Sequence, residues 1–379
     1  MRNDEGAATT SAELRAHNLA RLLRAVHEGA GQRTRAELTR QLGLARGTAT
    51  VLVRELAGRQ LIEERPGLPG EQRARGRPTG VPAAHPDGPV ALAADLREDS
   101  FTIASFELTG RGTVLEHEVP GSVTDLAARL REHRAALGAR LTGVGVAVPS
   151  PVANGKMLLA DGPDISSVLG TRYVGNDATL AGLAEARRGV LRGVEVALHL
   201  HAAAGIGGVL LAGGQPVAGA HGSAGEFGHM PLTGGNEPCR CGATGCWELD
   251  AGGRGLLRAA GADHGDPAAI LTSDGAAVAH VAVALGRGIG ALVNAHDPEA
   301  VALSGLAAAV LAAEPDAVHQ AYLAAMMRFR RASPPPLLPS SLGDLGTLTG
   351  AAELVFDGFL TARGLTAWAT GKNQVTSAP

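Results

Sequence analysis

Three cysteines and one histidine form the most distinctive chemical grouping in the sequence. The cysteines follow a C-x-C-x4-C pattern at Cys239, Cys241 and Cys246, and His229 lies ten residues before the first of them. Three thiolates and one imidazole have the number and the softness that a tetrahedral structural Zn²⁺ site requires. Glycines between the cysteines allow a short loop to direct the sulfur atoms to one point. The sequence therefore predicts a structural zinc site with these four ligands.

Two other interpretations of the cysteines are open. Free cysteines are often small buried hydrophobic residues, but all three in this chain of 379 residues lie within eight positions, which chance clustering rarely produces. A disulfide is the second alternative. Cys239 and Cys241 are too close in sequence for an unstrained bridge, and any bridge leaves a third thiol over.

The N-terminal residues predict two helices. Residues 12–28 place leucines and a valine at helical spacing, beginning with Leu14, which indicates an amphipathic helix. Thr34 precedes Glu37 by three residues, the pattern of a capping box that opens a second helix. This second helix is expected to end before Gly43, a residue suited to a tight turn.

A third helix is predicted over residues 46–58, and it completes a helix-turn-helix arrangement. Its apolar residues are expected to face inward, while its other residues are short or basic. Such side chains reach phosphates and base edges in a major groove, so the segment predicts DNA binding, with an ordinary three-helix bundle as the alternative. The residues expected inside are Val51, Leu52, Val53 and Leu56, and those expected outside are Arg46, Thr48, Thr50 and Arg54.

A β-wing is predicted after the third helix. Residues 61–65 (LIEER) indicate a strand, and a loop rich in Pro, Gly and Arg follows and ends in RARGRPTG. Its arginines Arg73, Arg75 and Arg77 are expected to contact the DNA backbone or to enter an A·T-rich minor groove. The alternative is a solvated linker that happens to be basic.

The net charge of −3 is unevenly distributed along the chain. Residues 1–80 contain 14 Arg against 9 Asp and Glu, a balance of +5, whereas the remainder contains 20 Lys and Arg against 28 Asp and Glu, a balance of −8. A basic segment on an acidic body indicates that the N-terminal segment meets a polyanion. We therefore expect operator DNA as a partner, contacted by Arg35, Arg46, Thr48, Thr50, Arg54, Arg75 and Arg77.

The sequence also bears on cellular location. The first ten residues lack the apolar run of a signal peptide. Residues 276–293 are apolar, but His280 and Arg287 interrupt them, which argues against a membrane span. Cysteines that bind metal suit a reducing compartment. We therefore expect a cytoplasmic protein without membrane association.

The stretch around the cysteines resembles the signature of the ROK family, which comprises sugar kinases and sugar-responsive repressors. It contains G-E-F-G-H at 225–229, followed by C-x-C-G-x-x-G-C-x-E at 239–248. The resemblance implies that His229 is both a zinc ligand and a neighbour of bound sugar, and that Glu226 and Glu248 contact sugar hydroxyls. The zinc would then orient the sugar pocket and take no part in chemistry.

The family also has an Asn-Asp pair before a helix, matched here by Asn176 and Asp177. The resemblance implies that the asparagine binds sugar and that the aspartate is the catalytic base of the kinases. A carboxylate beside a sugar hydroxyl removes its proton or accepts its hydrogen bond, and an aspartate near a helix N-terminus can instead be a cap. We expect Asp177 to accept a hydrogen bond, and to be catalytic only if kinase activity remains.

Three segments depart from the kinase members of the family. Where the kinases carry D-x-G-G-T-K, residues 95–100 read DLREDS, with no glycine and with two acidic residues in the turn. Bulky and negative side chains there oppose the approach of a triphosphate. The second phosphate loop keeps G-I-G-G at 205–208 but begins with two alanines, and only Gly305 follows the strand at 300–303. No kinase activity is therefore expected.

The predicted fold is α/β in class. It comprises a winged helix-turn-helix at 1–80 that resembles the one in ROK repressors, a linker at 81–88, and a two-lobed actin-like ATPase (ribonuclease H-like) body at 89–379, with ligand in the cleft between lobes. The expected function is a transcriptional regulator, a repressor of sugar uptake or metabolism genes, which responds to a sugar or sugar derivative as a homodimer or homotetramer. The alternative is an active ATP-dependent sugar kinase with an added DNA-binding domain. Because residues 152–170 are shorter than in the family, a regulator that has lost sugar binding is a third possibility.

Overall fold

The chain is folded as two compact units in the computed structural model, which describes residues 10–66, 80–153, 156–158 and 164–371. The first unit contains the described residues through Val146, residues 164–174 and those from Ala351 onward. The second unit contains residues 147–158 and 175–350.

Helices and strands alternate along most of the described chain. The helices are α1 (Ser11–Glu28), α2 (Arg35–Gln41), α3 (Arg46–Gly58), α4 (Val123–Leu137), α5 (Ile165–Leu169), α6 (Asp177–Arg188), α7 (Gly253–Ala259), α8 (Pro267–Ser273), α9 (Gly275–His296), α10 (Leu306–Ala313), α11 (Pro315–Ala325), α12 (Gly346–Phe359) and α13 (Ala362–Ala369). The strands are β1 (Ile62–Arg65), β2 (Val81–Ala84), β3 (Val90–Leu96), β4 (Ser100–Glu107), β5 (Gly112–Pro120), β6 (Leu141–Val148), β7 (Val152–Ala153), β8 (Lys156–Met157), β9 (Tyr173–Asn176), β10 (Val196–Ala202), β11 (Ile206–Ala212), β12 (Gln215–Pro216), β13 (Ala300–Gly305) and β14 (Leu337–Pro339).

The three predicted N-terminal helices are present as α1, α2 and α3. The Thr34 hydroxyl accepts the Glu37 N–H, and the Glu37 carboxylate accepts the Thr34 N–H, so the predicted capping box opens α2. An equivalent box between Thr10 and Glu13, which was not predicted, opens α1. These caps satisfy N–H groups that have no partner inside a helix.

Two apolar residues of this helical bundle lie outside its core, and one of them, Val51, was expected inside. Leu14 is 52% exposed and Val51 is 49% exposed. Val51, Leu52 and Val53 are consecutive, and successive residues of an α-helix are separated by about 100°. All three cannot face one side, and the helix buries Leu52 and Val53. Leu14 lies in the first turn of α1, before the buried part of that helix begins at Leu19.

The β-wing is built from β1 and β2. These strands pair antiparallel, with Ile62 opposite Ala84 and Arg65 opposite Val81. The first four residues of the predicted linker at 81–88 therefore belong to a strand. The wing arginines Arg73, Arg75 and Arg77 lie outside the described residues.

A five-stranded sheet of order β5-β4-β3-β6-β9 carries the body portion of the first unit. The hairpin of β3 and β4 is antiparallel and pairs Leu96 with Phe101. Every residue of β3 is buried, and α4 covers the sheet with Leu126 and Leu130. The indole N–H of Trp368 on α13 donates to the Arg59 carbonyl oxygen at 2.8 Å, so the C-terminal helix also contacts the end of α3.

The second unit has a sheet of order β12-β11-β10-β13-β14. Strands β10, β13 and β14 run parallel to one another, and β11 pairs antiparallel with β10. Parallel strands need covering elements on their faces, and α6 contacts β10 and β11 while α9 packs in the hydrophobic core. This arrangement puts the carboxyl ends of β10 and β13 side by side.

Helix α9 is the central helix of that core. Glycines at 286 and 290 allow α11 to approach closely, since a Cβ atom at Gly286 would lie 2.3 Å from the Val318 carbonyl oxygen. By length and apolar composition, α9 is the single helix of the described residues that could cross a membrane, but 61% of its most apolar stretch is buried inside the protein. Its apolar character is accounted for by this packing.

Candidate functional site

A turn of 3-10 helix over Phe227–His229 carries the first predicted site residues. Gly225 has φ +93°, and a Cβ atom at Gly228 would lie 2.0 Å from the Ile206 carbonyl oxygen. The segment therefore packs closely against the start of β11, and a side chain at Gly225 or Gly228 would prevent this packing. This close packing fixes Glu226 and His229 at the edge of the second sheet.

A second 3-10 turn, Trp247–Leu249, holds Glu248. The indole of Trp247 packs against Gly288 of α9, where an added Cβ atom would lie 2.1 Å from the ring. The indole N–H donates to the Ala284 carbonyl oxygen at 2.9 Å. Glu248 is buried, and Arg254 approaches it with 3.2 Å between guanidinium nitrogen and carboxylate oxygen. The carboxylate is thus positioned by a rigid aromatic anchor and a cationic partner.

The four predicted metal ligands lie together. The ligand atoms of His229, Cys239, Cys241 and Cys246 all lie within 4.8 Å of one another. Cys241 Sγ is 3.6 Å from Cys246 Sγ, and Cys239 Sγ is 3.6 Å from His229 Nδ1. A zinc–sulfur bond of 2.3 Å in a tetrahedron separates neighbouring sulfur atoms by about 3.8 Å. The donor set could therefore hold a tetrahedral metal ion.

The environment of the thiols also suits a closed metal site. Burial raises the pKa of Cys239 to about 12 and also raises the pKa of Cys246. A hydrogen bond from the Ala243 backbone N–H lowers the pKa of Cys241. Two buried thiols that ionise reluctantly become ligands only when a cation displaces their protons. Four protein donors would also leave no open position for a catalytic water.

The carboxylates of Asp177, Glu226 and Glu248 are close enough to influence one another electrostatically. Burial is the largest cause that raises the pKa of Glu226 to about 7, and the negative charges of Asp177 and Glu248 raise it further. His229 Nε2 lies 3.9 Å from Glu226 Oε2, and His229 Nδ1 lies 3.8 Å from Glu248 Oε1. The predicted metal ligand and the predicted sugar contacts are therefore one constellation, rich in hydrogen-bond acceptors.

Asn176 and Asp177 lie at the N-terminus of α6. The Asn176 side-chain oxygen accepts the Thr179 N–H at 3.0 Å, so Asn176, rather than Asp177, is the N-cap. Asp177 Oδ1 accepts from the Ala178 N–H at 2.7 Å and from the Asn176 amide at 3.0 Å. Both residues are partly exposed. These bonds orient the carboxylate within the same unit as Glu226 and Glu248.

A histidine–serine–histidine chain closes the carboxyl ends of β10 and β13, and sequence reasoning missed it. Ser304 Oγ is 3.0 Å from His199 Nε2 and 2.8 Å from His201 Nδ1. Burial, with a smaller contribution from His201, lowers the pKa of His199 to about 3, so this ring is neutral. The alternation of His199 and His201 along one strand was the available signal, but their serine partner lies over 100 residues away in sequence.

The turn between β3 and β4 in the first unit is occupied by an ion-pair network. The Arg97 guanidinium lies 3.3 Å from Asp95 and 2.8 Å from Glu118. Its backbone N–H donates to the Ser100 carbonyl oxygen at 2.9 Å. The glycine-free segment identified in the sequence is thus a closed turn with an arginine at its centre.

The described residues predicted to contact DNA differ in their surroundings. Arg46, Thr48 and Arg54 are exposed on α3. The hydroxyl of Thr50 donates to the Arg46 carbonyl oxygen at 2.9 Å, so it is engaged within the helix. Arg35, at the start of α2, is partly exposed and lies 3.3 Å from Glu64 of the wing. Three of the five are therefore exposed on α3.

Comparison with known proteins places these features in context. The kanosamine kinase of Amycolatopsis mediterranei (strain S699) is 30% identical over 279 residues, which cover 66% of this chain and 89% of the kinase. The xylose repressor of Bacillus subtilis (strain 168) is 24% identical over 242 residues, 58% of this chain and 62% of the repressor. The crystal structure of a ROK family transcriptional regulator, a homolog of the E. coli MLC protein, matches with a TM-score of 0.71 at 22% identity, over 94% of this chain and 99% of that one.

The structural likeness to that regulator includes the N-terminal domain and the body, so the predicted combination of a winged helix-turn-helix with an actin-like ATPase body is confirmed. The ROK family pattern itself matches residues 116–357, well over half of the sequence. On this match, the chain belongs to the ROK family.

Proposed function

We propose that the chain is a DNA-binding transcriptional regulator, a repressor, that responds to a sugar or sugar derivative. The observation that carries this proposal is the exposed basic face of α3 on a helix-turn-helix that precedes a ROK body. Arg46 and Arg54 are exposed there. Arginines on an open helix of this motif are suited to phosphates and base edges. The likeness in fold to a ROK transcriptional regulator supports the same function.

The effector site we propose consists of Asn176, Asp177, Glu226, His229 and Glu248. Sugars present many hydroxyl donors, and these residues offer several oxygen acceptors within one unit. Arg254 balances part of the negative charge at Glu248. The constellation therefore suits a neutral polyhydroxylated ligand.

We further propose that the metal is Zn²⁺, held by His229, Cys239, Cys241 and Cys246. Bound there, it supplies cross-linking of two loops and no chemistry. The ligands flank the turns that carry Glu226 and Glu248. Folding of the cysteine loop would thus hold the sugar contacts in position.

Loss of phosphoryl transfer is part of the proposal. The Arg97 ion pairs occupy the turn that corresponds to the glycine-rich phosphate turn of the kinases. The His199–Ser304–His201 chain joins β10 to β13, just before the segment at Gly305 where only one glycine follows the strand. Both features support a protein that binds its sugar without phosphorylating it.

The test begins with selection of bound sequences from a random DNA library by the full chain. The recovered sequence is then titrated by fluorescence anisotropy with and without a panel of sugars and sugar phosphates. We expect one compound to change operator affinity, and by linkage the operator must change the affinity for that compound by the same factor. Enrichment of no sequence at all would overturn the proposal.

An active sugar kinase is the second candidate. Asp177 matches in sequence the residue that the resemblance implies is the kinase base, and the kanosamine kinase of Amycolatopsis mediterranei is 30% identical to this chain. Incubation with ATP and hexoses or amino hexoses, followed by measurement of ADP, separates the two candidates. Sustained sugar-dependent ADP release would establish the kinase, whereas no turnover with measurable sugar binding supports the regulator.

A further inference from the structure

We propose that the outward face of α3 contacts thymine 5-methyl groups in the major groove through Val51, with Gly47 beside it allowing close approach of the helix. This inference rests on the proposed DNA-binding function and assigns one base-contacting residue within it. Val51 was expected in the core, and its place on the surface is what calls for an explanation.

The outward face is defined by what the other side of α3 buries. Ala49, Leu52, Val53 and Leu56 are all buried. At about 100° per residue, the direction opposite to them is that of Gly47, Val51, Arg54 and Gly58. Val51 is 49% exposed at the middle of this face. A β-branched apolar residue there is neither a strong helix former nor part of the core.

Gly47 is the second unusual residue of the same face. A Cβ atom at this position would meet no atom of the described residues within 4 Å, and the φ of Gly47 is not in the left-handed region. Nothing in the described part of the protein therefore requires glycine here, although glycine is the least favourable helix residue after proline. Close approach of a binding partner to α3 would explain why glycine is present at position 47.

The start of α3 carries two further features that are unfavourable for an isolated helix. Its N-cap is Ala45, which makes no side-chain cap bond, and the first turn contains Arg46 but no acidic residue. A cation at the positive end of the helix dipole is destabilising by itself. A polyanion in contact with this end would reverse that effect. The charge pattern therefore favours DNA as the partner of this face.

Along the axis of α3, Gly47 and Val51 lie between Arg46 and Arg54 and form an apolar strip. The Thr50 hydroxyl already donates to the Arg46 carbonyl oxygen, so its proton is not available to a base. Gly47 and Val51 have no polar side-chain atoms. In the major groove, the apolar group that distinguishes one base from the others is the C5-methyl group of thymine. Arg46 and Arg54 on either side are then suited to phosphate or guanine contacts.

The experiment uses the full chain and the operator obtained from a random library. Each thymine of the operator is replaced in turn by deoxyuridine, which removes only the methyl group. At one or two positions we expect removal of the methyl group to weaken operator binding by the wild type about fourfold. This is the factor that corresponds to burial of one methyl-sized group. Val51→Ala should bind the thymine operator more weakly and lose the methyl effect at those positions.

Two glycine variants supply the matched comparison. Gly47→Ala should keep or raise the melting temperature yet weaken operator binding, a combination that a purely structural role does not produce. Gly58→Ala lies on the same side of α3, about 16 Å further along the axis. Its added Cβ would also meet no atom within 4 Å in the part of the chain that the structure describes. It should keep or raise the melting temperature and leave operator binding unchanged.

The outcomes separate the inference from the function on which it rests. Sequence-selective binding that is insensitive to every thymine methyl overturns the role of Val51 and leaves the regulator intact. Equal methyl effects in the wild type and Val51→Ala also overturn it. Absence of selective binding by the wild type overturns the proposed regulator itself.

Discussion

His27 on α1 and Glu353 on α12 form an almost completely buried pair, with 3.0 Å between Nε2 and Oε2 and side-chain exposures of 4% and 2%. The other ring nitrogen of His27 contacts the Leu108 carbonyl oxygen, and the ring packs on Phe356. Both nitrogens therefore face oxygen atoms of the body. This pair fixes the first helix of the DNA-binding segment on the body portion of the first unit.

Removing one member of this pair should destabilise the chain strongly. His27→Ala removes the imidazole from a buried carboxylate, so we expect a loss of about 3–5 kcal/mol in the free energy of unfolding. Arg24→Ala is the control, because Arg24 pairs with Asp357 at 3.1 Å between the same two helices but both side chains are more than one-third exposed. It should cost at most about 1 kcal/mol. Equal effects of the two variants in urea unfolding would contradict the role given to burial.

Zinc should be present in stoichiometric amount and should stabilise the fold. Elemental analysis of the purified chain is expected to find one zinc per chain. Cys241→Ser should lower the melting temperature, the zinc content and sugar affinity together, because the metal holds the turns beside the sugar contacts. Thr244→Ser, in the same loop but without a ligand, should change none of them. A fully stable, metal-free Cys241→Ser protein would reject the site.

Asp177→Asn should weaken sugar binding about ten- to a hundredfold. The carboxylate would make a charge-assisted hydrogen bond of about 1.5–3 kcal/mol, and about 1.4 kcal/mol corresponds to a factor of ten. Glu226→Gln and Glu248→Gln should act in the same direction, and DNA affinity without sugar should not change. Asp316→Asn, an exposed carboxylate of the same unit, is the control. Wild-type sugar titrations for Asp177→Asn would exclude this residue from the effector site.

His199 should make stability depend on pH in the acidic range. Its pKa is lowered from 6.5 to about 3 by burial, so the folded chain keeps the ring neutral while the unfolded chain takes up a proton below pH 6.5. His199 therefore does not lower the free energy of unfolding above pH 6.5. Below that pH the free energy of unfolding decreases toward pH 3, by at most about 1.4 kcal/mol per pH unit. His199→Gln should flatten the slope of unfolding free energy against pH by about one proton. An unchanged slope would show that a group other than His199 causes the pH dependence of stability.

Arg54 and Arg77 should differ in how they contribute to DNA affinity. If Arg77 contacts only phosphate, Arg77→Ala should weaken all sequences alike and reduce the slope of log affinity against log salt by about one. Arg54→Ala should in addition reduce selectivity between operator and random DNA. Loss of preference at one A·T-rich step in Arg77→Ala would instead indicate minor-groove contact, and no change in either quantity would remove the wing from the interface.

Local patterns predicted much of the fold because they depend on neighbours in sequence. The Thr34 and Glu37 pair predicted the start of α2, and the run LIEER at 61–65 predicted the strand β1. The edge strand β5 was not predicted, because all of its residues are at least partly exposed and it lacks a clear alternation. Val51 was misassigned because an apolar run of three residues exceeds the width of one helix face.

The candidate site was predicted where it is compact in sequence and missed where it is not. His229 and the cysteines lie within eighteen residues, and their ligand atoms meet as expected. Ser304 binds two histidines that are more than 100 residues away, and His27 meets Glu353 across 326 residues. Such pairs depend on how strands and helices pack together, and no local sequence pattern predicts them.

The cysteine cluster also makes the metal-free chain sensitive to oxidants. Cys241 is exposed, the Ala243 N–H lowers the pKa of its thiol, and its sulfur lies 3.6 Å from that of Cys246. An exposed thiol with a lowered pKa is oxidised more readily than a buried one. A peroxide would convert it to a sulfenic acid, with which the Cys246 thiol would condense to a disulfide with loss of water. That bond would consume two of the four metal ligands. The redox state of the surroundings would thereby decide whether the protein can be loaded with metal, and metal already bound would shield both sulfurs from oxidation.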